Sequence, residues 1–464
     1  MKRFVSIVLT VTLIVMTLPI TCFALEVGGI ASWNYDEVTS TLTLNNYSST
    51  NNVSIGEETC QIHSNGDLNI ILEGTNTLDL ESDYGIYVEG SLIISGTGAL
   101  NVSNTSNGIY ATKNITIKSG NISAPSIQAK GGGVTVDSGK IELTGSISAN
   151  DGQITINNGE IKATRIISKD ITVNNGNINA YLYGTNLVEI NDGKITSNGL
   201  YVEIYKTLRI NGGTIEIKSN DNYTAVDANC WIYITGGTLI IENTYSDGTM
   251  ASRPYAIYGS QGTLNISGGN IKIKGNVDKD FTISAGTLEV EGTIGDTGTS
   301  YIRGGTVTVK GQIYSGWSDL SISGGLVNVE SNSIGLYAPD GDISISGGEI
   351  SIYGESQALK AGSNITINSA LSMKTGASVD DTIEAAKYYS EKYIYLAKKY
   401  HLGDLDGDSE LSDWDGVLLA RYLAGWNVEI PTLYALDIDG DGEITDWDGV
   451  VLDRYLAGWN ISIG

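Results

Sequence analysis

From residue 115 onward the chain repeats one short pattern: alternating apolar and polar positions, a polar residue with glycine, then a second alternating run. It reads ITIKSGNIS (Ile115–Ser123), VTVDSGKIE (Val134–Glu142), ITINNGEIK (Ile154–Lys162) and ITVNNGNIN (Ile171–Asn179). VEINDGKIT, LRINGGTIE, IYITGGTLI, LNISGGNIK, FTISAGTLE, LSISGGLVN and ISISGGEIS follow. The shared glycine falls at 120, 139, 159, 176, 193, 213, 237, 269, 286, 305, 325 and 348, an average interval of about 21 residues. Alternation of period two predicts strands with one face turned inward. The Asn-Gly, Ser-Gly and Gly-Gly pairs turn the chain, because glycine tolerates positive φ. Three short strands and their turns predict one coil of a right-handed parallel β-helix, stacked on a continuous ladder of Ile, Val and Leu. A sandwich and a propeller are the competing folds, but the period is too short for a four-stranded blade.

The pattern changes character at both ends. WNYDEVTSTLTLNNYSSTN and IHSNGDLNIILEGTNTL predict an N-terminal cap and the first coils. Ala377–Tyr400 predicts a polar turn or short helix and then a strand, Tyr393–Ala397, closing the last sheet edge. Residues 1–24, MKRFVSIVLTVTLIVMTLPITCFA, have the basic start, long apolar run and small final residue of a secretory signal, with a membrane anchor as the alternative. The expected layout is a signal at 1–24, a β-helix at 25–398 and a separate module at 399–464. No later segment is apolar enough to span a membrane.

Charge narrows the partners. The chain carries −26 at pH 7, and −28 once Lys2 and Arg3 leave with the signal. Nucleic acid and anionic membrane are excluded as partners by that field. The acid is concentrated: residues 403–464 hold eleven Asp and three Glu against Arg421 and Arg454. Cys60 and Cys230 lie about eight coils apart, roughly 35–40 Å at ~4.8 Å per coil. A disulfide needs Cα atoms within about 7 Å, so two buried thiols are expected.

Lyase or hydrolase chemistry needs clustered carboxylates, or carboxylates beside a basic residue. Such a cluster is not evident at coil spacing. Glu160, Lys194 and Glu216 read as solvated turn residues, and His63 and His401 show no evident partner. Tyrosine is used 26 times against three Phe. Tyr87, Tyr110, Tyr183, Tyr258, Tyr314 and Tyr337 recur at one place in the coil, where period two points them outward. A line of phenols there serves either to stack on sugar rings or to cover the neighbouring coil.

The module at the C-terminus says one thing twice. DLDGDSELSDWDGVLLARYLAGWN from Asp404 matches DIDGDGEITDWDGVVLDRYLAGWN from Asp437 at 18 of 24 positions. Oxygen ligands fall at loop positions 1, 3, 5, 7, 9 and 12. In the first loop these are Asp404, Asp406, Asp408, the carbonyl of Glu410, Ser412 through water, and Asp415. In the second they are Asp437, Asp439, Asp441, Glu443, Thr445 and Asp448. Alternating carboxylates on a curling loop suit Ca2+, giving two expected sites. A helix follows each loop, GVLLARYLAG and GVVLDRYLAG, ended by Gly425 and Gly458. None is expected before either loop.

Two loop–helix calcium units at an extracellular C-terminus resemble a type I dockerin. The resemblance implies docking into a cohesin module of a scaffold protein, as in cellulosomes. It carries recognition to loop positions 10 and 11 and to the helix: Asp413, Trp414 and Arg421, with Asp446, Trp447 and Arg454. Asp-Trp departs from the small hydroxyl residues common in the family at those positions, which implies a different matching cohesin. Trp426 and Trp459 are expected in the core. The coils resemble secreted β-helical carbohydrate-binding domain proteins. Together these imply a secreted, non-catalytic cellulosome subunit that binds plant cell-wall polysaccharide. A polysaccharide-degrading enzyme on the same β-helix (pectate lyase-like or glycoside hydrolase) and an adhesin or spacer are the alternatives.

Overall fold

The computed structural model describes residues 25–463 except 28–31, 204, 220–223, 244–254, 260, 369–370, 376–390, 399–401, 409, 431–432, 460 and 462. The expected signal, the polar turn before Tyr393, His401 and Ser409 lie outside the described residues. The chain forms a β-solenoid of about 15 turns with two short C-terminal helices. It divides into two compact units, Met1–Gly262 and Thr263–Gly464.

In the first unit, successive coils pair in parallel, residue over residue. One inward column runs Ile70, Ile94, Ile117, Val136, Ile156, Val173, Ile190, Ile210 and Ile234. Each is at most 1% exposed. A fully buried side chain of this size contributes roughly 1.5–3 kcal/mol, so the column alone is a large share of the driving force. Cys60 and Cys230 are buried in this unit as thiols, not as a disulfide.

The turn glycines are needed twice over. Gly159 has φ +122°, and a Cβ there would meet the Gly139 carbonyl oxygen at 2.8 Å. A side chain would therefore strain the turn and wedge two coils apart. Not every coil breaks into three short strands. Ser146–Ile156, Glu160–Val173 and Asn177–Ile190 run on through corners where the pairing register shifts, between Ala149 and Gln153, Lys162 and Arg165, and Ser168 and Asp170.

The N-terminal cap is antiparallel: Leu25–Val27 and Val53–Ile55 pair with Glu58–Ser64, and Trp33–Asp36 pairs with Thr41–Asn45. In the second unit the same coil repeats, with Ile266, Ile283, Ile302, Ile322 and Ile345 in one inward column. Tyr393–Lys398 lies antiparallel between Leu371–Thr375 and Glu349–Gly354, the closing strand expected from the sequence.

The C-terminal helices are α1 (Asp413–Leu423) and α2 (Asp446–Leu456). Each begins three residues earlier than GVLLARYLAG and GVVLDRYLAG suggest. Ser412 and Thr445 cap them, and Asp415 and Asp448 return hydrogen bonds to the caps, a capping box that draws loop residues into the first turn. A four-residue 3₁₀ turn, Leu433–Leu436, precedes the second loop, and the α-helices among the described residues are the two that follow the loops, as expected. Leu405, Leu418, Leu419, Leu436, Ile438, Val451 and Leu452 form the small core.

Candidate functional site

Each acidic loop curls by hydrogen-bonding its own backbone. Asp406 accepts from the Asp408 amide at 3.1 Å and Asp408 from the Glu410 amide at 2.7 Å. Asp439 and Asp441 accept likewise from Asp441 and Glu443 at 3.2 and 2.8 Å. These Asx turns bring carboxylate oxygens of Asp404, Asp406 and Asp408 within 4.8 Å of one another, and those of Asp437, Asp439 and Asp441 equally. Three carboxylates at that spacing repel unless a cation sits among them. The Oδ1 of Asp437 is buried and accepts no hydrogen bond, while its Oδ2 accepts from the Gly442 amide at 3.1 Å. An orphaned buried carboxylate oxygen is costly in isolation, and a hard divalent cation satisfies it.

The remaining expected ligands have other partners. Asp415, fully buried, accepts from the Leu405 and Asp406 amides at 2.7 and 3.3 Å and from Ser412 at 2.8 Å. Asp448 repeats this with Ile438, Asp439 and Thr445 at 2.7, 3.3 and 2.8 Å. The Ser412 and Thr445 hydroxyls accept from the Trp414 and Trp447 amides, both at 3.2 Å. Glu410 and Glu443 have exposed side chains, and their expected contribution is the main-chain carbonyl.

Loop position 6 separates the two copies. Gly442 has φ +90° with nothing within 4 Å of an added Cβ, so only its backbone conformation resists a side chain. Left-handed geometry costs a non-glycine residue about 1–2 kcal/mol. Gly442→Ala is expected to weaken calcium binding at the second loop roughly 5- to 30-fold. Ser409 stands at the matching place in the first loop, so Ser409→Gly is expected to tighten that site by a similar factor. Calorimetric calcium titration of the full chain checks both; unchanged affinities would show that loop position 6 does not set calcium affinity.

Trp426 and Trp459 are not core residues: they are 63% and 60% exposed. Gly425, at φ +76°, ends α1 in a Schellman turn, with its amide on Tyr422 and the Trp426 amide on Arg421. That turn swings Trp426 back over the last helical turn. The Arg421 guanidinium lies 5.6 Å from the Trp426 ring and 5.1 Å from Trp414. Arg454 sits 5.3 Å from Trp459 and 5.1 Å from Trp447. The result is two matching Trp–Arg–Trp clusters, with Trp414 and Trp447 about half exposed and Asp413 and Asp446 exposed in the first helical turns.

The tyrosines do share a column, and coil register extends it. His63, Tyr87 and Tyr110 stand over one another, as do Tyr183, Tyr201, Asp227 and Tyr258. Tyr314 and Tyr337 pair in the second unit. Tyr87 stacks on Tyr110 at 4.9 Å and 20°, and Tyr183 on Tyr201 at 4.6 Å and 14°. Those ring faces are occupied by each other, and Tyr110 is only 8% exposed rather than open to solvent. Burial raises the hydroxyl pKa values of Tyr87, Tyr110 and Tyr201. Tyr258 is 38% exposed, and Tyr314 meets Tyr337 tilted at 5.9 Å.

Charged side chains meet partners that their positions in the sequence do not reveal. His63 Nε2 is 3.3 Å from Glu89 Oε1, one coil on. Glu160 pairs with Lys140 at 3.5 Å, and Glu216 pairs with Lys218, so neither stands singly; both pairs are exposed and worth little in water. Lys279 is fully buried and acts electrostatically on Asp280 and Asp296, whose pKa values are raised chiefly by burial. The run Asp278-Lys279-Asp280 was the available signal, obscured because Asp296 belongs to the next coil.

A family model for carbohydrate-binding domain-containing proteins matches residues 11–248, and one for the dockerin type I domain matches 402–457. The first match stops short of coils that continue beyond it; the second covers both acidic loops and both helices. No curated protein and no solved structure matches the chain. Dockerin type I domains bind calcium, in keeping with the two carboxylate sets. Among the described residues no helix is long and apolar enough to cross a membrane.

Proposed function

This chain belongs to the carbohydrate-binding domain-containing proteins, and we propose that it is a secreted, non-catalytic cellulosome subunit. The solenoid holds plant cell-wall polysaccharide, and the C-terminal module, loaded with two Ca2+ ions, docks into a scaffold cohesin. The observation that carries this reading is the presence of both family matches on one chain. In the tyrosine column, Tyr258 keeps open ring surface for a sugar, whereas Tyr337 carries the Lys360 ammonium 5.5 Å over its ring, Tyr314 packs on Tyr337, and Tyr87, Tyr110 and Tyr183 chiefly tie coils together. Weak contacts repeated along a polymer add through multivalency. A net charge of −26 disfavours polyuronates and leaves neutral chains such as cellulose or xylan as the better match.

One observation favours a second reading, an enzyme on the same scaffold: the buried Lys279 beside two carboxylates of raised pKa. A single experiment separates the two. The full chain is mixed with insoluble cellulose, xylan or pectin, and depletion, soluble reducing ends and unsaturated products are followed together. Retention on a neutral polymer without soluble product is the expected result. Product release would establish the enzyme, and no retention on any polymer would leave the adhesin or spacer.

A further inference from the structure

The strand Trp231–Ile234 turns two aromatic rings to solvent side by side. Ile232 and Ile234 are each 1% exposed, while Trp231 and Tyr233 are each 39% exposed. Same-face neighbours on a strand are about 6.6 Å apart, close enough for one extended ligand to cover both. A third ring joins from the preceding coil: Tyr205 is 62% exposed, with its centroid 6.4 Å from that of Trp231 at 44°. At this angle and distance neither ring hides the other's face, unlike the stacked pairs of the tyrosine column.

Tyr205 is held at a cost. Its φ is +60°, a left-handed conformation that bulky residues rarely adopt, and its amide is fixed on the Asn229 carbonyl at 2.9 Å. Strain of this kind persists where surrounding structure imposes it, and it clusters at binding sites. Polar groups border the rings in register. Thr207 stands beside Trp231 and Arg209 beside Tyr233, with Glu189 one coil further back. Arg209 Nη1 lies 3.8 Å from Glu189 Oε1, so the border offers hydrogen bonds while its charges offset one another.

We propose that Tyr205, Trp231 and Tyr233 form the principal sugar platform, taking a neutral β-linked polysaccharide whose flat pyranose faces lie on the rings. Hydroxyls at the sugar edge reach Thr207, Arg209 and Glu189. An α-linked helical chain cannot lay successive flat faces on a planar sheet, and a polyuronate meets the chain's negative field. The whole platform lies inside residues 11–248, the stretch matched by the carbohydrate-binding family. The inference rests on the proposed carbohydrate function and places it on a face distinct from the tyrosine column.

The test measures depletion isotherms of the full chain on regenerated cellulose and insoluble xylan, with calcium held constant. Trp231→Ala is expected to lose about tenfold in affinity, and Trp231→Phe to keep much of it. Trp317→Ala, an exposed tryptophan outside the platform, should bind as the parent does. Tyr205→Gly should lose affinity while its melting temperature rises, because glycine adopts the left-handed conformation without strain. This last variant keeps the test decisive if the Trp231 variants fold poorly. Parent binding undiminished in Trp231→Ala or in Tyr205→Gly overturns the platform alone. No parent binding to either polymer overturns both the platform and the carbohydrate reading.

Discussion

Chelating calcium from the chain is expected to unfold the C-terminal module and leave the solenoid intact. The module has little else to hold it. Among the described residues its core is seven buried side chains with partly buried ones packed against them, and each helix is 11 residues long. Helices shorter than about 12–15 residues are marginal on their own, and a domain of this size buries too little surface for a wide margin. Without metal, two sets of three carboxylates stay within 4.8 Å, and Asp437 Oδ1 remains buried and unsatisfied. An ion that binds only the folded form adds about 2.7 kcal/mol at 100 times its Kd. Two such sites approach the whole stability of a marginal domain, about 5 kcal/mol. Trp414, Trp426, Trp447 and Trp459 are four of the chain's seven tryptophans, so their emission reports the module. A chelator should red-shift that emission and expose the last 60 or so residues to protease, with the β-sheet circular dichroism unchanged. Asp404→Ala and Asp437→Ala should each move the transition to higher calcium. Emission and protease resistance that ignore the chelator would refute metal-dependent folding.

The solenoid was readable because its signals are local and repeated. An inward Ile or Val and a turn glycine mark nearly every coil, and the structure stacks those positions directly. Where corners lack such a glycine turn, as at Lys162–Arg165, the strand boundaries were not readable. A register shift leaves no compositional trace. What depends on which residue stands over which was also hidden. His63 meets Glu89, and Tyr205 meets Trp231, only after coils of unequal length are placed in register. Tyr201 was missed for the same reason.

In the acidic loops the reverse holds, since alternate aspartates converge by local turns and spacing alone suffices. Trp426 and Trp459 read as core because an aromatic after an amphipathic helix usually folds inward. The Schellman turn at Gly425 and Gly458 instead returns the indole over the arginine at the third residue from the helix end. The glycines were visible. The direction they impose was not.

Loss of either Trp414 or Trp447 alone should cost cohesin binding little, while loss of both should cost about 2 kcal/mol or more. The two halves of the module are near-copies in structure as well as in sequence. Asp415 and Asp448 accept their loop amides at the same 2.7 and 3.3 Å, and the two arginines lie at the same 5.1 Å from their loop tryptophans. Each half presents nearly the same Trp–Arg–Trp surface, so a cohesin that fits one cluster should also fit the other. Deleting one anchor then removes one of two equivalent orientations, which costs only RT ln 2, about 0.4 kcal/mol. Deleting both removes the aromatic from every orientation, and buried aromatic anchors are worth about 2 kcal/mol or more. Arg421 and Arg454 would also lose a stacking partner, though Trp426 and Trp459 still hold them. Titration calorimetry against a panel of type I cohesins, with calcium present, provides the check. A single variant as weak as the double would show that one orientation alone is used, and a double variant that binds like the parent would move recognition away from the tryptophans.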